Sequence, residues 1–230
     1  MFALAALAAG CADAAPRTSF QSFDSRARKG ERLNVVFFGA SLTWGANATD
    51  PQLTSYRAQF ADWLDSRYPK AHIKYYDAAI GGTNSQLAVF RFDRDVLARK
   101  PDLVLIDFSA NDDIYSDDPE TSAAYESIVR RTVLDAQAPA IIVIFPFRWN
   151  VQQGNTDGMK RRDIHIRLAQ AYNVPVGDAI TLCIDRVKAG KVTLDDIWPN
   201  DGVHPGNLGY TLFAEAARTN PASNRSTARR

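Results

Sequence analysis

The sequence predicts an α/β fold, a three-layer α/β/α sandwich around a central parallel sheet of about five strands. Short apolar runs rich in β-branched residues alternate with longer stretches in which apolar residues recur at helical spacing. Continuous apolar runs are typical of parallel strands buried on both faces, and their alternation with helices indicates βαβ units with right-handed crossovers. We expect the flavodoxin-like strand order, 2-1-3-4-5.

The predicted elements follow one another regularly along the chain. The strands are Leu33–Phe38, His72–Ala78, Leu103–Phe108, Ala140–Phe145 and the short Val174–Val176. The helices are Ser55–Tyr68, Asn84–Lys100, Pro119–Gln137, Thr156–Tyr172, Ala179–Lys188 and Leu208–Arg218. In the second helix, the spacing favours an inner face formed by Leu87, Phe90, Val96 and Leu97, and Pro101 ends the helix. Trp63, in the first helix, is expected in the core.

Length and charge narrow the possible partners. The chain has 230 residues and a net charge of +1. This length suits one domain, and so small a net charge gives no electrostatic reason to expect binding to nucleic acid or to an anionic membrane surface. No Cys/His cluster has the spacing of a zinc site. The oligomeric state is left open.

The first eleven residues differ in character from the rest. Ten small or apolar residues, MFALAALAAG, precede Cys11, and they are too few to cross a bilayer. The segment resembles a bacterial lipoprotein signal, in which the cysteine is lipidated and becomes the mature terminus. We therefore expect a signal over residues 1–11, a polar linker over 12–32, the domain over 33–219 and a polar tail over 220–230. The expected location is periplasmic, or anchored to a membrane through Cys11.

Candidate catalytic residues follow the ends of the predicted strands. Ser41 lies in FGASLTWG after the first strand, Gly82 follows the second, and Asn111 follows the third. Asp201 and His204 lie in the loop before the last helix. In an open parallel sheet these ends share one edge, where ligands bind. A serine activated by a histidine that a carboxylate orients is an acyl-transfer nucleophile, and backbone and amide N–H groups can stabilise the oxyanion.

Each of these residues also has a plainer interpretation. A serine at a strand end often caps a helix. His72 opens a strand and His165 lies within a helix, so both are expected to be structural or at the surface. Asp195 and Asp196 compete with Asp201 for the role of the acid, and the spacing favours Asp201. The acidic group Asp112, Asp113, Asp117 and Asp118 lacks an EF-hand pattern and is expected to be a solvated loop.

Four short motifs together resemble the SGNH subgroup of the GDSL hydrolases. FGASLTWG matches the block that carries the nucleophilic serine, AIGGTNS the second block, SAND the third, and DGVHP the block that supplies acid and base. The resemblance implies that Ser41, Asp201 and His204 are catalytic. It also implies that the oxyanion donors are Ser41, Gly82 and Asn111, and the motif match favours Gly82 over Gly81 as the glycine donor. It implies no metal and no organic cofactor.

Two residues depart from the family pattern, and neither removes a catalytic group. Ala40 replaces the aspartate of G-D-S-L, and Ser109 replaces the glycine of G-x-N-D. The chain has no G-x-S-x-G elbow, which argues against the α/β-hydrolase fold, and no phosphate-binding glycine loop, which argues against a nucleotide-binding module.

The substrate prediction depends on aromatic residues near the reactive edge. Trp44, Trp149 and Trp198 are expected there, with Arg148, Asn150 and Asn200 available for hydroxyl groups. Flat aromatic faces with a polar rim suit sugar rings. Many exported SGNH enzymes remove acetyl groups from polysaccharides, so we expect a carbohydrate O-acetylesterase. The alternatives are a lysophospholipase- or thioesterase-like acyl hydrolase and a non-catalytic glycan-binding surface lipoprotein.

Overall fold

The computed structural model describes residues 19–218, which fold around a parallel sheet. Its five strands are β1 (Arg32–Gly39), β2 (His72–Ala79), β3 (Leu103–Asp107), β4 (Ala140–Ile144) and β5 (Val176–Asp178). They lie in the order β2-β1-β3-β4-β5, and every pairing is parallel. The predicted fold class and strand order are confirmed. The fifth strand begins two residues later than predicted.

Helices cover both faces of this sheet. They are α1 (Phe20–Arg28), α2 (Ser41–Trp44), α3 (Tyr56–Arg67), α4 (Ser85–Asp95), α5 (Pro119–Leu134), α6 (Arg148–Gln152), α7 (Lys160–Ala171), α8 (Ala179–Lys188), α9 (Leu194–Ile197) and α10 (Asn207–Ala217). Across residues 19–218, no helix has both the length and the apolarity that a membrane span requires. The short helices α2, α6 and α9 were not predicted, because a single turn carries too little periodicity to recognise.

The sheet's register brings three strand ends together. Every residue of β3 and β4 is buried, as expected for central parallel strands. Gly39, the last residue of β1, pairs with Ala79 of β2 on one side and with Asp107 of β3 on the other. The loops that follow these strands therefore start side by side, and this places the candidate site.

The domain begins earlier than the sequence analysis predicted. Part of the expected linker forms α1, in which Phe23 and Ala27 are buried against the core. These two residues are four apart and so share one helix face. The ion pair between Arg26 and Asp102 fixes the helix further. The linker prediction was therefore wrong from residue 20 onward. The signal over 1–11 with Cys11, and the tail over 220–230, lie outside the described residues.

The inner face of α4 is also different from the prediction. Leu87 and Phe90 are 54% and 86% exposed, whereas Val96, just after the helix, is buried as expected. The buried face instead includes Arg91, whose guanidinium donates to the carbonyls of Ala78 (2.6 Å) and Gly39 (2.9 Å). The guanidinium also forms an ion pair with Asp95 (3.0 Å), and a charged side chain that is paired in this way can be buried, which hydropathy alone does not reveal.

Candidate active site

Ser41 is placed by a close contact between β1 and the helix that follows it. A Cβ on Gly39 would lie 2.1 Å from Thr43 Oγ1 and 2.8 Å from the carbonyl oxygen of Asp107. Only glycine allows α2 to start so close to the end of the strand. Ser41 is the first residue of α2. Its N–H therefore has no acceptor within the helix and is free to meet a negatively charged oxygen.

Ser41, His204 and Asp201 are brought together at this edge. His204 Nε2 lies 3.1 Å from Ser41 Oγ, and His204 Nδ1 lies 3.5 Å from Asp201 Oδ2. The second distance is long for a hydrogen bond, as is common in ligand-free sites. When Nδ1 carries the proton, Nε2 can accept the hydroxyl proton of Ser41. The arrangement can therefore activate a serine hydroxyl for attack on a carbonyl carbon.

The structure selects Asp201 among the three candidate acids. Asp195 forms an ion pair with Arg148 (2.6 Å), and Asp196 accepts the N–H of Thr193 (2.8 Å) at the start of α9. Asp201 Oδ1 instead accepts the backbone N–H of His204 (2.6 Å), which leaves Oδ2 toward the imidazole ring. The acid and the histidine are thus held in one tight turn.

Asn47 is a site residue that the sequence analysis missed. Its side-chain amide donates to Asp201 Oδ2 at 2.8 Å, and its backbone has φ = +67°. Burial alone would raise the pKa of Asp201, but hydrogen bonds from the backbone N–H groups of His204 and Val203 and from Asn47 outweigh it and lower that pKa. Asp201 therefore stays ionised at neutral pH. Asparagine's tolerance of left-handed backbone was the only local sign of this residue.

The predicted oxyanion donors follow the neighbouring strands. Gly82 lies in the turn after β2 with φ = +74°, a conformation that favours glycine. A Cβ on Gly81 would lie 3.7 Å from the Cβ of Ser41, so this turn is next to the serine. Asn111 is half-buried in the loop after β3. The three loops that carry the predicted donors therefore meet at one edge.

Buried carboxyl groups support these loops. Asp107, at the end of β3, accepts a hydrogen bond from Thr43 Oγ1 (2.8 Å), and burial raises its pKa to about 7. Asp112 accepts the N–H of Ser85 at 2.8 Å, which ties the Asn111 loop to the start of α4. Burial raises the pKa of Asp112 to about 6. The prediction of a solvated loop was therefore wrong for Asp112, because α4 covers its side chain.

The aromatic residues are only partly where the sequence predicted. Trp44 and Trp149 are each 48% exposed, as a sugar platform requires. Trp198 is 2% exposed because the turn after α9 directs its ring into the core. The prediction that Trp198 binds substrate was therefore wrong. Arg148 is engaged by its ion pair with Asp195. Asn150 is buried and accepts the N–H of Phe147 at 2.7 Å.

The other histidines lie away from this arrangement. His165 is buried, and its ring stacks on Tyr125 with a centroid distance of 3.7 Å. Burial, with the nearby charge of Arg161, lowers the pKa of His165 to about 3, so it is neutral. His72 opens β2 at the surface. Within residues 19–218, no group of three or more His, Cys, Asp or Glu side chains is arranged to hold a metal ion.

Comparison with known proteins agrees with this geometry. The model of the GDSL-like lipase/acylhydrolase family matches residues 37–212. The chain belongs to this family. It is a carboxylic ester hydrolase, and the resemblance to SGNH esterases found in its motifs is confirmed. The matched region of this GDSL-like hydrolase includes all three predicted catalytic residues, Ser41, Asp201 and His204.

Its relatives include esterases named for acetylated polysaccharides. An acetylxylan esterase from Geobacillus stearothermophilus is 26% identical over an alignment of 213 residues, and the match covers 81% of this chain and 92% of that protein. A two-domain esterase active on acetylated mannans, co-crystallised with mannopentaose, is 32% identical with a TM-score of 0.75. That alignment covers 85% of this chain and 50% of the other, so the chain spans about half the length of the two-domain enzyme.

Proposed function

We propose that this hydrolase removes O-acetyl groups from carbohydrates through an acyl-enzyme formed on Ser41. The observation that carries the proposal is the 3.1 Å approach of His204 Nε2 to Ser41 Oγ, with the Asp201 carboxylate behind the ring. Further support comes from relatives that are named for acetylxylan and for acetylated mannans.

In the proposed reaction, Ser41 Oγ attacks the ester carbonyl carbon while His204 Nε2 takes the hydroxyl proton. Asp201 holds the ring and stabilises the imidazolium. The Ser41 N–H, the Gly82 N–H and the Asn111 amide donate to the oxyanion of the tetrahedral intermediate. The intermediate collapses, the C–O bond to the sugar breaks, and the sugar oxygen takes the proton from His204.

Deacylation repeats these steps with water. His204 accepts a proton from the water as it attacks the acetyl carbonyl carbon of the acyl-enzyme. The second tetrahedral intermediate uses the same N–H donors. When it collapses, Ser41 Oγ recovers the proton from His204 and acetate leaves. No group outside these side chains and water is needed to balance either half of the reaction.

The preference for a short acyl group on a sugar rests on the surroundings of Ser41. Trp44 follows the nucleophile on α2, and Trp149 lies on α6; both rings are half-exposed beside the reactive edge. Exposed aromatic faces suit the weakly apolar faces of sugar rings. A cleft of about 240 Å³ borders Asn111; this is smaller than the ~300–1,000 Å³ usual for small-ligand sites, so it suits a small group better than a long acyl chain.

The test is a substrate screen with purified protein. kcat/KM for p-nitrophenyl esters should fall steeply from acetate to octanoate, and acetate should be released from acetylated xylan or mannan. Ser41→Ala protein serves as the control for catalysis by this site. Faster turnover of octanoate or of a lysophospholipid would favour the acyl-hydrolase alternative. Glycan binding without turnover would favour the non-catalytic alternative.

A further inference from the structure

We propose that the cleft between Tyr115 and Trp149 is a subsite for one neutral pyranose ring of the acetylated substrate. The inference rests on the proposed function and names its substrate class more closely. Tyr115 comes from the loop after β3 and Trp149 from α6, and both rings line the cleft with Asn111 beside them. Each ring is exposed enough to accept a ligand on one face.

Trp149 is held in place before any ligand binds. Its ring lies 4.8 Å from that of Phe147, centroid to centroid, with the planes inclined by 46°. On another side it packs on Gly202, where an added Cβ would lie 3.4 Å from Trp149 Cζ3. A ring fixed in this way loses little conformational freedom when a sugar stacks on it, so the stacking energy contributes to binding.

A buried amide joins the two sides of the cleft. Asn150 is 1% exposed; its Oδ1 accepts the N–H of Phe147, and its Nδ2 donates to the Tyr115 hydroxyl at 3.4 Å. The Tyr115 hydroxyl in turn donates to Gln153 Oε1 at 2.8 Å. The tyrosine is thus tied to α6, which also carries Trp149. The spacing of the two aromatic rings is therefore set by the protein and not by the ligand.

The cleft is also next to the proposed reaction centre. Asn111, a predicted oxyanion donor, is part of its lining. Trp149 touches Gly202, which lies in the turn between Asp201 and His204. A pyranose ring bound here therefore lies beside the group that receives the ester carbonyl. This position is suitable for a sugar that carries the acetyl group or for its neighbour in the chain.

Charge in the cleft favours a neutral sugar. Among residues 19–218, its lining includes Asp113 and no lysine or arginine. Asp113 Oδ1 accepts the N–H of Tyr115 at 3.1 Å, and the carboxylate is exposed. Carboxylates accept hydrogen bonds from hydroxyl groups but repel uronates and phosphates. Acetylated xylan or mannan fits these groups, and an acetylated galacturonan does not.

The test compares kcat/KM on acetylated xylo-oligosaccharide with kcat/KM on p-nitrophenyl acetate. Trp149→Ala and Tyr115→Ala should each lower the ratio of the two by about tenfold, through KM for the glycan, since one stacking contact is worth about 1.4 kcal/mol. Phe90→Ala, which removes an exposed aromatic ring from α4, is the matched control and should leave the ratio unchanged.

A second variant tests the charge without removing a ring. Asp113 has φ = +57°, which asparagine also tolerates, so Asp113→Asn should fold normally. It should raise kcat/KM on acetylated oligogalacturonate relative to acetylated xylo-oligosaccharide.

If the wild type deacetylates the glycans but neither aromatic variant changes the ratio of glycan to p-nitrophenyl acetate kcat/KM more than Phe90→Ala does, the subsite is wrong and the proposed function stands. If the wild type releases no acetate from any glycan, the proposed function itself fails.

Discussion

Asp107 should make the free energy of unfolding of this protein depend on pH, and the substitution Asp107→Asn should remove that dependence. Its carboxyl group is buried at the end of β3, and burial raises its pKa from 3.8 to about 7; the nearby Asp112 adds to the rise and the Thr43 hydrogen bond opposes it. Because the folded state holds this proton more tightly than the unfolded state, the folded protein binds more protons between about pH 4 and 7. Its free energy of unfolding therefore falls as pH rises through that range.

The size of the effect follows from the two pKa values. Each pKa unit corresponds to about 1.4 kcal/mol, so the full difference between 3.8 and about 7 corresponds to about 4 kcal/mol. Between pH 5 and pH 8 the loss attributable to Asp107 is about 2–3 kcal/mol. Asp107→Asn keeps an acceptor for Thr43 Oγ1 and cannot titrate, so it should not show this loss.

The assay is urea unfolding of the wild type and of Asp107→Asn at pH 5, 6, 7 and 8. The free energy of unfolding of the variant, minus that of the wild type, should rise by about 2–3 kcal/mol from pH 5 to pH 8. Asp157→Asn changes an exposed carboxylate in a loop and is the control, with a flat difference expected. A difference that stays constant for Asp107→Asn across this range would refute the reasoning.

Three further predictions concern the nucleophile turn, the acid and the N-terminus. Gly39→Ala places a Cβ 2.1 Å from Thr43 Oγ1, so the free energy of unfolding measured in urea should fall by about 1–3 kcal/mol. The kcat of the esterase reaction should fall as well. A variant as stable as the wild type would contradict the close packing. Asn47→Gly allows the same left-handed backbone but loses the side-chain amide that donates a hydrogen bond to Asp201. We expect kcat to fall by about tenfold with KM little changed. An unaltered kcat would show that Asn47 does not contribute to catalysis. Mass spectrometry of the mature terminus should find Cys11 carrying lipid, and an intact Met1 would contradict both export and lipidation.

The parallel sheet could be predicted because its strands are buried on both faces. β4 is apolar throughout and β3 is apolar up to Asp107, its last residue, and the burial of these strands follows from that composition. The candidate nucleophile could be found because the ends of parallel strands meet at one edge, so motifs far apart in sequence predict one site. His204 and Ser41 are 163 positions apart and lie 3.1 Å apart in the structure.

The inner face of α4 could not be predicted from the spacing of its apolar residues. Leu87 and Phe90 have the spacing of a buried face, but Arg91 is the residue that turns inward. Its guanidinium bonds two carbonyls at strand ends and lies 4.4 Å from the ring centroid of Phe38. These partners come from distant segments of the chain, and a local pattern of apolar residues contains no information about them.

The same limit applies to the site's supporting residues. Asn47 acts on Asp201 across 154 positions, and Asp112 is buried only because α4 starts above it. Trp198 precedes Asp201 in the sequence, which suggested a place in the substrate cleft, yet its ring points into the core. The direction of a side chain in a loop depends on the packing of other elements, so the structure was needed to sort these residues.

The identity of Ser41 as the nucleophile is the central claim, and single-turnover acetylation tests it most directly. Purified wild-type protein mixed with p-nitrophenyl acetate and quenched with acid should gain one acetyl group, which peptide mass spectrometry should locate on Ser41. Ser41→Ala protein should carry no acetyl group there and should lose several powers of ten in kcat, and His204→Ala should lose nearly as much. An acetyl group on another residue, or near-normal turnover by folded Ser41→Ala protein, would contradict the account.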